Sequence, residues 1–102
     1  MIRHVVLANL RSDLSAADID TLSTAIRTME TEIPGIVAVA IGANNSPEGL
    51  DRGHSHGFTV DFVDAAARDA YLPHPDHVKV ARQLVAATQG GAEGILVLDF
   101  EI

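Results

Sequence analysis

A chain of 102 residues has the length of one domain, about 100 to 150 residues, which excludes a second core. Its 7 basic residues against 14 acidic ones leave a formal charge of −7, the wrong sign for gripping a phosphate backbone, so no nucleic-acid partner is expected. The lack of cysteine rules out a disulfide framework, a thiolate nucleophile and any Cys-ligated metal, and no segment is apolar over the roughly 20 residues that a bilayer span requires.

The first strand is read from residues 2–10, IRHVVLANL, with Ile2, His4, Val6 and Ala8 on one face and Val5 and Leu7 on the other. Arg3 and His4 interrupt this run, and no basic region, long apolar stretch and small-residue cleavage site follow one another, so a cytoplasmic location is expected. Ser15 and Asp18 have the spacing of a capping box, with Leu14 placed to staple against Ile19. Ile19, Leu22, Ile26, Met29 and Ile33 then recur at steps of three and four, which lays one apolar stripe along a helix that Pro34 and Gly35 stop. Residues 36–41, IVAVAI, are apolar on both faces, as in a strand covered on both sides. From Gly42 to Ser55 the chain is dense in Gly, Asn, Ser, Pro and Asp without periodicity, which predicts a long loop, either a binding loop or a solvated connector.

HGFTVDF, residues 56–62, alternates with Phe58, Val60 and Phe62 on one side and Thr59 and Asp61 on the other, a third strand. Asp64 caps a short helix, AAARDAYL, that ends at Pro73. A second helix opens at His74 and Pro75, with His74 capping through its backbone and Ala81, Leu84, Val85 and Thr88 giving the core face. Gly90 and Gly91 terminate it before a last strand, ILVLDFEI. The order β-α-β-β-α-β is that of an α+β domain of the split β-α-β type, an antiparallel sheet with its helices on one face. The other face, carrying Val5 and Leu7 and either Val37, Val39 and Ile41 or their alternates, is too apolar to be left in water. Pairing two sheets face to face removes it: about 600 Å² of apolar area at roughly 25 cal/mol per Å² gives about 15 kcal/mol gross, before association costs. The expected partner is therefore a second copy of the chain.

The residues that stand out chemically are histidines: His4 in the first strand, and His74 and His77 in the run YLPHPDH, where Tyr71 and His77 lie on opposite sides of a proline-broken corner. The opening IRHVVL, the segment IPGI, the strand HGFTVDF, the segment RDAYLPHPDHVKV and the closing ILVLDFEI resemble, in order and over essentially the whole chain, the stress-responsive α/β-barrel domain (Dabb) family. The His-Pro-x-His corner is the most specific of these motifs. DAY, Asp69 to Tyr71, departs from the family's aspartate-tyrosine pair by one alanine. The resemblance implies a ferredoxin-like domain that dimerises through its sheets into an α+β barrel. Some plant members of the family are cofactor-free polyketide cyclases, and their pocket residues fall here on His4, Tyr71 and His77. Leu22, Ile26 and Phe58 are expected to point toward the same space and give it an apolar lining, with His74 at its margin.

Two readings follow. In one, His77 takes a proton from a carbon beside a carbonyl, Tyr71 holds the developing enolate oxygen and His4 orients His77 or acts as a second donor, as suits a cyclase or isomerase acting on a small hydrophobic or aromatic ligand. In the other, the chain is a non-catalytic dimeric module that binds ligands or serves in stress protection. His54 and His56, like His74 and His77, have spacings that can chelate, but no acidic ligand joins them at a firm spacing, so no metal is expected. GANNSPEG and TQGGAEG lack phosphate-loop spacing, and no cofactor is expected either.

Overall fold

The computed structural model describes residues Met1–Ile102. The chain runs β1 (Ile2–Ala8), α1 (Ala16–Glu32), β2 (Ile36–Ala43), β3 (His56–Phe62), α2 (Ala65–Tyr71), α3 (Pro75–Ala87), a single 3-10 turn over Gly91–Gly94, and β4 (Ile95–Glu101). The strands form one sheet in the order β2-β3-β1-β4 with every neighbouring pair antiparallel. Leu10, expected within the first strand, is joined instead to Thr88 by an isolated bridge after β1 has ended.

Each helix starts where a side chain takes up the amide groups that the first turn leaves without partners. For α1, the Ser15 hydroxyl accepts from the Asp18 amide and the Asp18 carboxylate accepts from the Ser15 amide, both at 3.0 Å, the reciprocal pair expected of a capping box. Asp64 accepts from Ala67 at 2.8 Å to open α2. His74 caps α3 with its side chain as well as by position, since its Nδ1 accepts from the Asp76 amide at 3.1 Å. The turn after α1 depends on Gly35, which has φ of 89° and sits so near α2 that an added Cβ would lie 2.6 Å from the Ala67 Cβ. Both the left-handed backbone and the contact with α2 require glycine there.

All the helices lie on one face of the sheet, and the core between the two layers is built from the residues facing inward. Leu22, Ile26, Met29 and Ile33 of α1 and its exit pack with Ile2, Val6 and Ala8 of β1, Phe58, Val60 and Phe62 of β3, and Tyr71, Val80 and Leu84. On α3 the inward face is Val80, Leu84 and Thr88 rather than the predicted Ala81, Leu84, Val85 and Thr88, and Val85 is exposed. Val85 lies beside Gly91 of the 3-10 turn instead.

The opposite sheet face carries no helix. Antiparallel register groups it into three rows across β2, β3, β1 and β4: Ala38, Asp61, Arg3 and Phe100; Ala40, Thr59, Val5 and Leu98; Gly42, Gly57, Leu7 and Leu96. Val39 and Ile41 face the helices, and a bulge between Ile36 and Ala38 leaves Val37 outside the ladder. The open face of β2 is thus made of small residues, and the large apolar side chains are concentrated on β1 and β4. Leu96, Leu98 and Phe100 are exposed on it. Arg3 and Asp61 form a two-pronged ion pair on the same face, at 2.9 and 3.0 Å.

The core residue Ile26 has no exposed surface, so Ile26→Ala should cost about 2–5 kcal/mol through lost transfer energy and the cavity left behind. Chemical denaturation would read this as a lower midpoint at unchanged slope.

Candidate functional site

The alternation of β1 sends His4 into the core together with Ile2, Val6 and Ala8, and only 6% of its surface is exposed. An imidazole taken out of water needs a partner. It finds one on β4, where register places Asp99 directly opposite, and its Nδ1 lies 2.7 Å from Asp99 Oδ1. The other carboxylate oxygen, Oδ2, accepts from Arg68 of α2 at 2.9 Å. Arg68 in turn donates from Nε to Asp69 at 2.7 Å.

Above His4 stands the corner between α2 and α3. Tyr71, the last residue of α2, is 1% exposed and packs edge-on against both Phe62, with ring centroids 4.8 Å apart, and His4, at 5.7 Å. Pro73 and the cap at His74 turn the chain so that the first turn of α3 brings His77 back over Tyr71, with centroids 4.0 Å apart and planes tilted by 35°. The structure thus brings together three rings that the sequence holds 67 and 6 positions apart (71 − 4 and 77 − 71). His77 Nδ1 lies 2.8 Å from the Leu72 carbonyl. A carbonyl only accepts, so Nδ1 carries the hydrogen and the neutral ring presents a lone pair at Nε2. The same reasoning at the Asp99 carboxylate leaves Nε2 of neutral His4 as an acceptor. The Tyr71 hydroxyl has no protein hydrogen-bond partner, and it is not fully enclosed, although Tyr71 as a whole is 1% exposed.

The electrostatics follow from burial and from the charges around Asp99. Burial lowers the pKa of His77 below the ordinary histidine value; the Leu72 carbonyl partly opposes this, and His4 and His74 add to it. His77 is therefore held neutral, the form that can accept a proton. Burial also raises the Tyr71 phenol well above its usual value, and the negative Asp99 adds to the shift, so Tyr71 stays a donor throughout the physiological range. Burial pushes the Asp99 carboxyl up, but Arg68 and His4 outweigh it and hold the group below the usual carboxylate range.

The other residues expected at the site lie elsewhere. His74 is part of the α3 cap, and Asp76 Oδ2 is 3.8 Å from its Nδ1. Leu22, Ile26 and Phe58 belong to the core around a separate cavity of about 10 Å³, which Ala8, Leu10, Ile41 and Leu84 also line, room for roughly one water molecule. Phe58 shares the His4 face but sits one inward position farther along the sheet, opposite Val6, which places these residues toward the other end of the layer. His54 and His56 are engaged locally, with the Asp51 carbonyl and the Ser55 hydroxyl at 2.8 and 3.0 Å. No three His, Asp or Glu side chains are grouped to hold a metal ion, and no helix is long and apolar enough to cross a membrane.

Sequence reasoning missed Asp99 and Arg68. A lone aspartate within ILVLDFEI on the face shared with His4 was the available signal, because a carboxylate among apolar strand residues calls for a partner.

The layers and site together define a ferredoxin-like α+β domain with a His-Tyr-His group between its sheet and its helical corner. The chain belongs to the stress responsive A/B barrel domain family, whose model matches residues 2–102. A dimeric ferredoxin-like protein of unknown function from Jannaschia sp. CCS1 is similar at 32% identity over 99% of this chain and 98% of its own, with a TM-score of 0.88. An Arabidopsis thaliana protein is similar at 26% identity over 100% and 95% of the two chains, with a TM-score of 0.90. The hydroxynitrile lyase of Passiflora edulis shares the fold at 24% identity over 99% and 92%, with a TM-score of 0.84. No curated protein matches the chain.

Because the folded chain keeps His77 neutral, protonation favours the unfolded state. The stability contributed is full above the ordinary value of 6.5, falls as the pH drops below it, and levels off below the lowered folded value. Thermal melts between about pH 8 and 5, bracketing the histidine range, should show this decline, with a shallower slope in His77→Gln.

Proposed function

We propose that this Dabb-family protein works as a homodimer and performs cofactor-independent acid–base chemistry on a small carbonyl-containing or aromatic compound, using His77, Tyr71 and His4. The observation that carries this reading is the convergence of the three rings with a lone pair at His77 Nε2 and a donor at the Tyr71 hydroxyl, neither used by the protein itself. His77 Nε2 takes the proton from a carbon beside a carbonyl, and the electron pair of the broken C–H bond moves onto the carbonyl oxygen. The Tyr71 hydroxyl donates a hydrogen bond to that enolate oxygen, the charge-stabilising part of the reaction. The protonated His77 returns its proton to the substrate, either to carbon in an isomerisation or to a departing hydroxyl, which leaves as water. His4, held by Asp99, fixes the polar floor beneath Tyr71 and supplies a second polar group. Val97, on the same face of β4 as Asp99, is exposed; an apolar side chain beside the group suits a hydrophobic or aromatic body.

The hydroxynitrile lyase of Passiflora edulis is an enzyme on this fold, which makes a cyanohydrin a sensible probe beside polyketides and quinones. The dimer is supported by the apolar open face and by a relative described as dimeric. One observation favours the alternative of a non-catalytic binding module: the cavity lined by Leu22, Ile26 and Phe58 is nearly filled.

The deciding experiment measures turnover of an aromatic cyanohydrin and of small polyketide and quinone compounds by wild type and His77→Ala. About a hundredfold or greater loss in kcat/KM is expected, as for removal of a general base; equal behaviour of the two proteins on every compound rejects the acid–base reading and leaves the binding module. Light scattering at micromolar concentration should give twice the chain mass, and Leu98→Asp, which puts a charge on the open face, should give the monomer.

A further inference from the structure

The carboxylate that holds His4 is itself poorly confined. Asp99 lies on β4, at the edge of the sheet, and its side chain is 22% exposed. A carboxylate in that position can turn toward water unless both oxygens are engaged, and the second is engaged by Arg68, whose guanidinium reaches across from α2 at 2.9 Å. Arg68 is steadied by Asp69, which accepts from Nε at 2.7 Å, so the fork is held at one end and presents an N–H at the other. The Arg68–Asp99 contact is the side-chain hydrogen bond that ties α2 to the sheet; the Asp64 and Asp69 contacts remain within the helix and its cap.

We propose that Arg68 is a positioning residue for the site: by engaging Asp99 Oδ2 it aims Oδ1 at His4 and fixes His4 with its hydrogen on Nδ1 and its free lone pair on Nε2, turned away from Asp99. The inference rests on the reading of His4 as a member of the functional group, but the protonation site of His4 is measurable without a substrate. A histidine ring free in water favours the tautomer with hydrogen on Nε2, so a neutral His4 with hydrogen on Nδ1 reports that the carboxylate is in place. A surface ion pair with no positioning role would leave that tautomer unchanged when removed.

The test is nitrogen NMR of histidine-labelled protein at about pH 8, above the ordinary histidine range. Wild type should show His4 protonated at Nδ1. In Arg68→Gln, which removes the charge and the fork, the His4 signals should move at least halfway toward the Nε2-protonated values. Arg68→Lys, which retains one cationic donor, should restore most of the wild-type pattern, and Asp69→Asn, which leaves the Arg68 contact to Asp99 in place, should keep it. The chain's single tyrosine, with no tryptophan present, makes Tyr71 fluorescence a check that each variant retains the packed corner. A folded Arg68→Gln with wild-type His4 signals overturns the proposal. If Arg68→Gln does not fold, Arg68→Met decides in its place, with the same shift expected and the same null result overturning the proposal. Should the His77→Ala comparison also reveal turnover, Arg68→Gln is expected to lower kcat about tenfold with little change in KM. Failure to find a substrate leaves the NMR result to stand or fall on its own.

Discussion

The hydrogen bond between His4 and Asp99 joins the two strands at the centre and edge of the sheet, and the arrangement of the His-Tyr-His group follows from it. An imidazole on the inward face of β1 is almost entirely removed from water, and such a group is costly to bury unless its polar atoms are satisfied. Asp99 meets that requirement because the β1–β4 register sets it opposite His4. With the imidazole anchored, its outer surface is a defined platform against which Tyr71 packs, and Tyr71 in turn supports His77. The acidic end of the arrangement is kept ionised by Arg68 and His4, and its basic end, His77, is kept neutral chiefly by burial. Burial at one end and ion pairing at the other thus hold neighbouring groups in different protonation states.

Much of the fold could be read in the chain because its local signals agree. The Ser15–Asp18 pair, the stripe from Leu22 to Ile33 and the alternation of HGFTVDF each specify an element, and each element is present with the face it predicts. The discrepancies arise where local periodicity does not determine the tertiary setting. The apolar run IVAVAI has hydrophobic residues on both faces and so carries no mark of the bulge that takes Val37 out of register. The inward face of α3 takes Val80 in place of the expected Val85, because both valines lie near the same stripe and only packing against α1 chooses between them. At the candidate site, His4, Tyr71 and His77 are legible as chemically capable residues. The part played by Asp99 was not, because it depends on strand register between residues 95 positions apart.

The packing also separates two roles that sequence reasoning had merged. Leu22, Ile26 and Phe58 stabilise the domain by filling its interior, whereas His4 and Tyr71 are buried beneath the corner between α2 and α3, and only His77 is part-exposed there. This division lets the core be close-packed around Leu22, Ile26 and Phe58 while the polar groups sit under the helical corner. The family supplies the fold of this chain, but the access to the rings is set by its own side chains.

The rows on the open sheet face have a geometric consequence. Passing from β2 to β4, each row goes from Ala or Gly to Leu or Phe, so the surface is tapered across the strands: thin at one edge, thick at the other. Two identical wedges make a slab of even thickness only when one is turned about so that thick lies over thin. Laid in the same sense, they would touch along β1 and β4 and gape over β2 and β3. Of the two ways to lay the sheet on a copy of itself about a two-fold axis, the taper therefore favours the one whose axis runs along the strands, on side-chain volume alone.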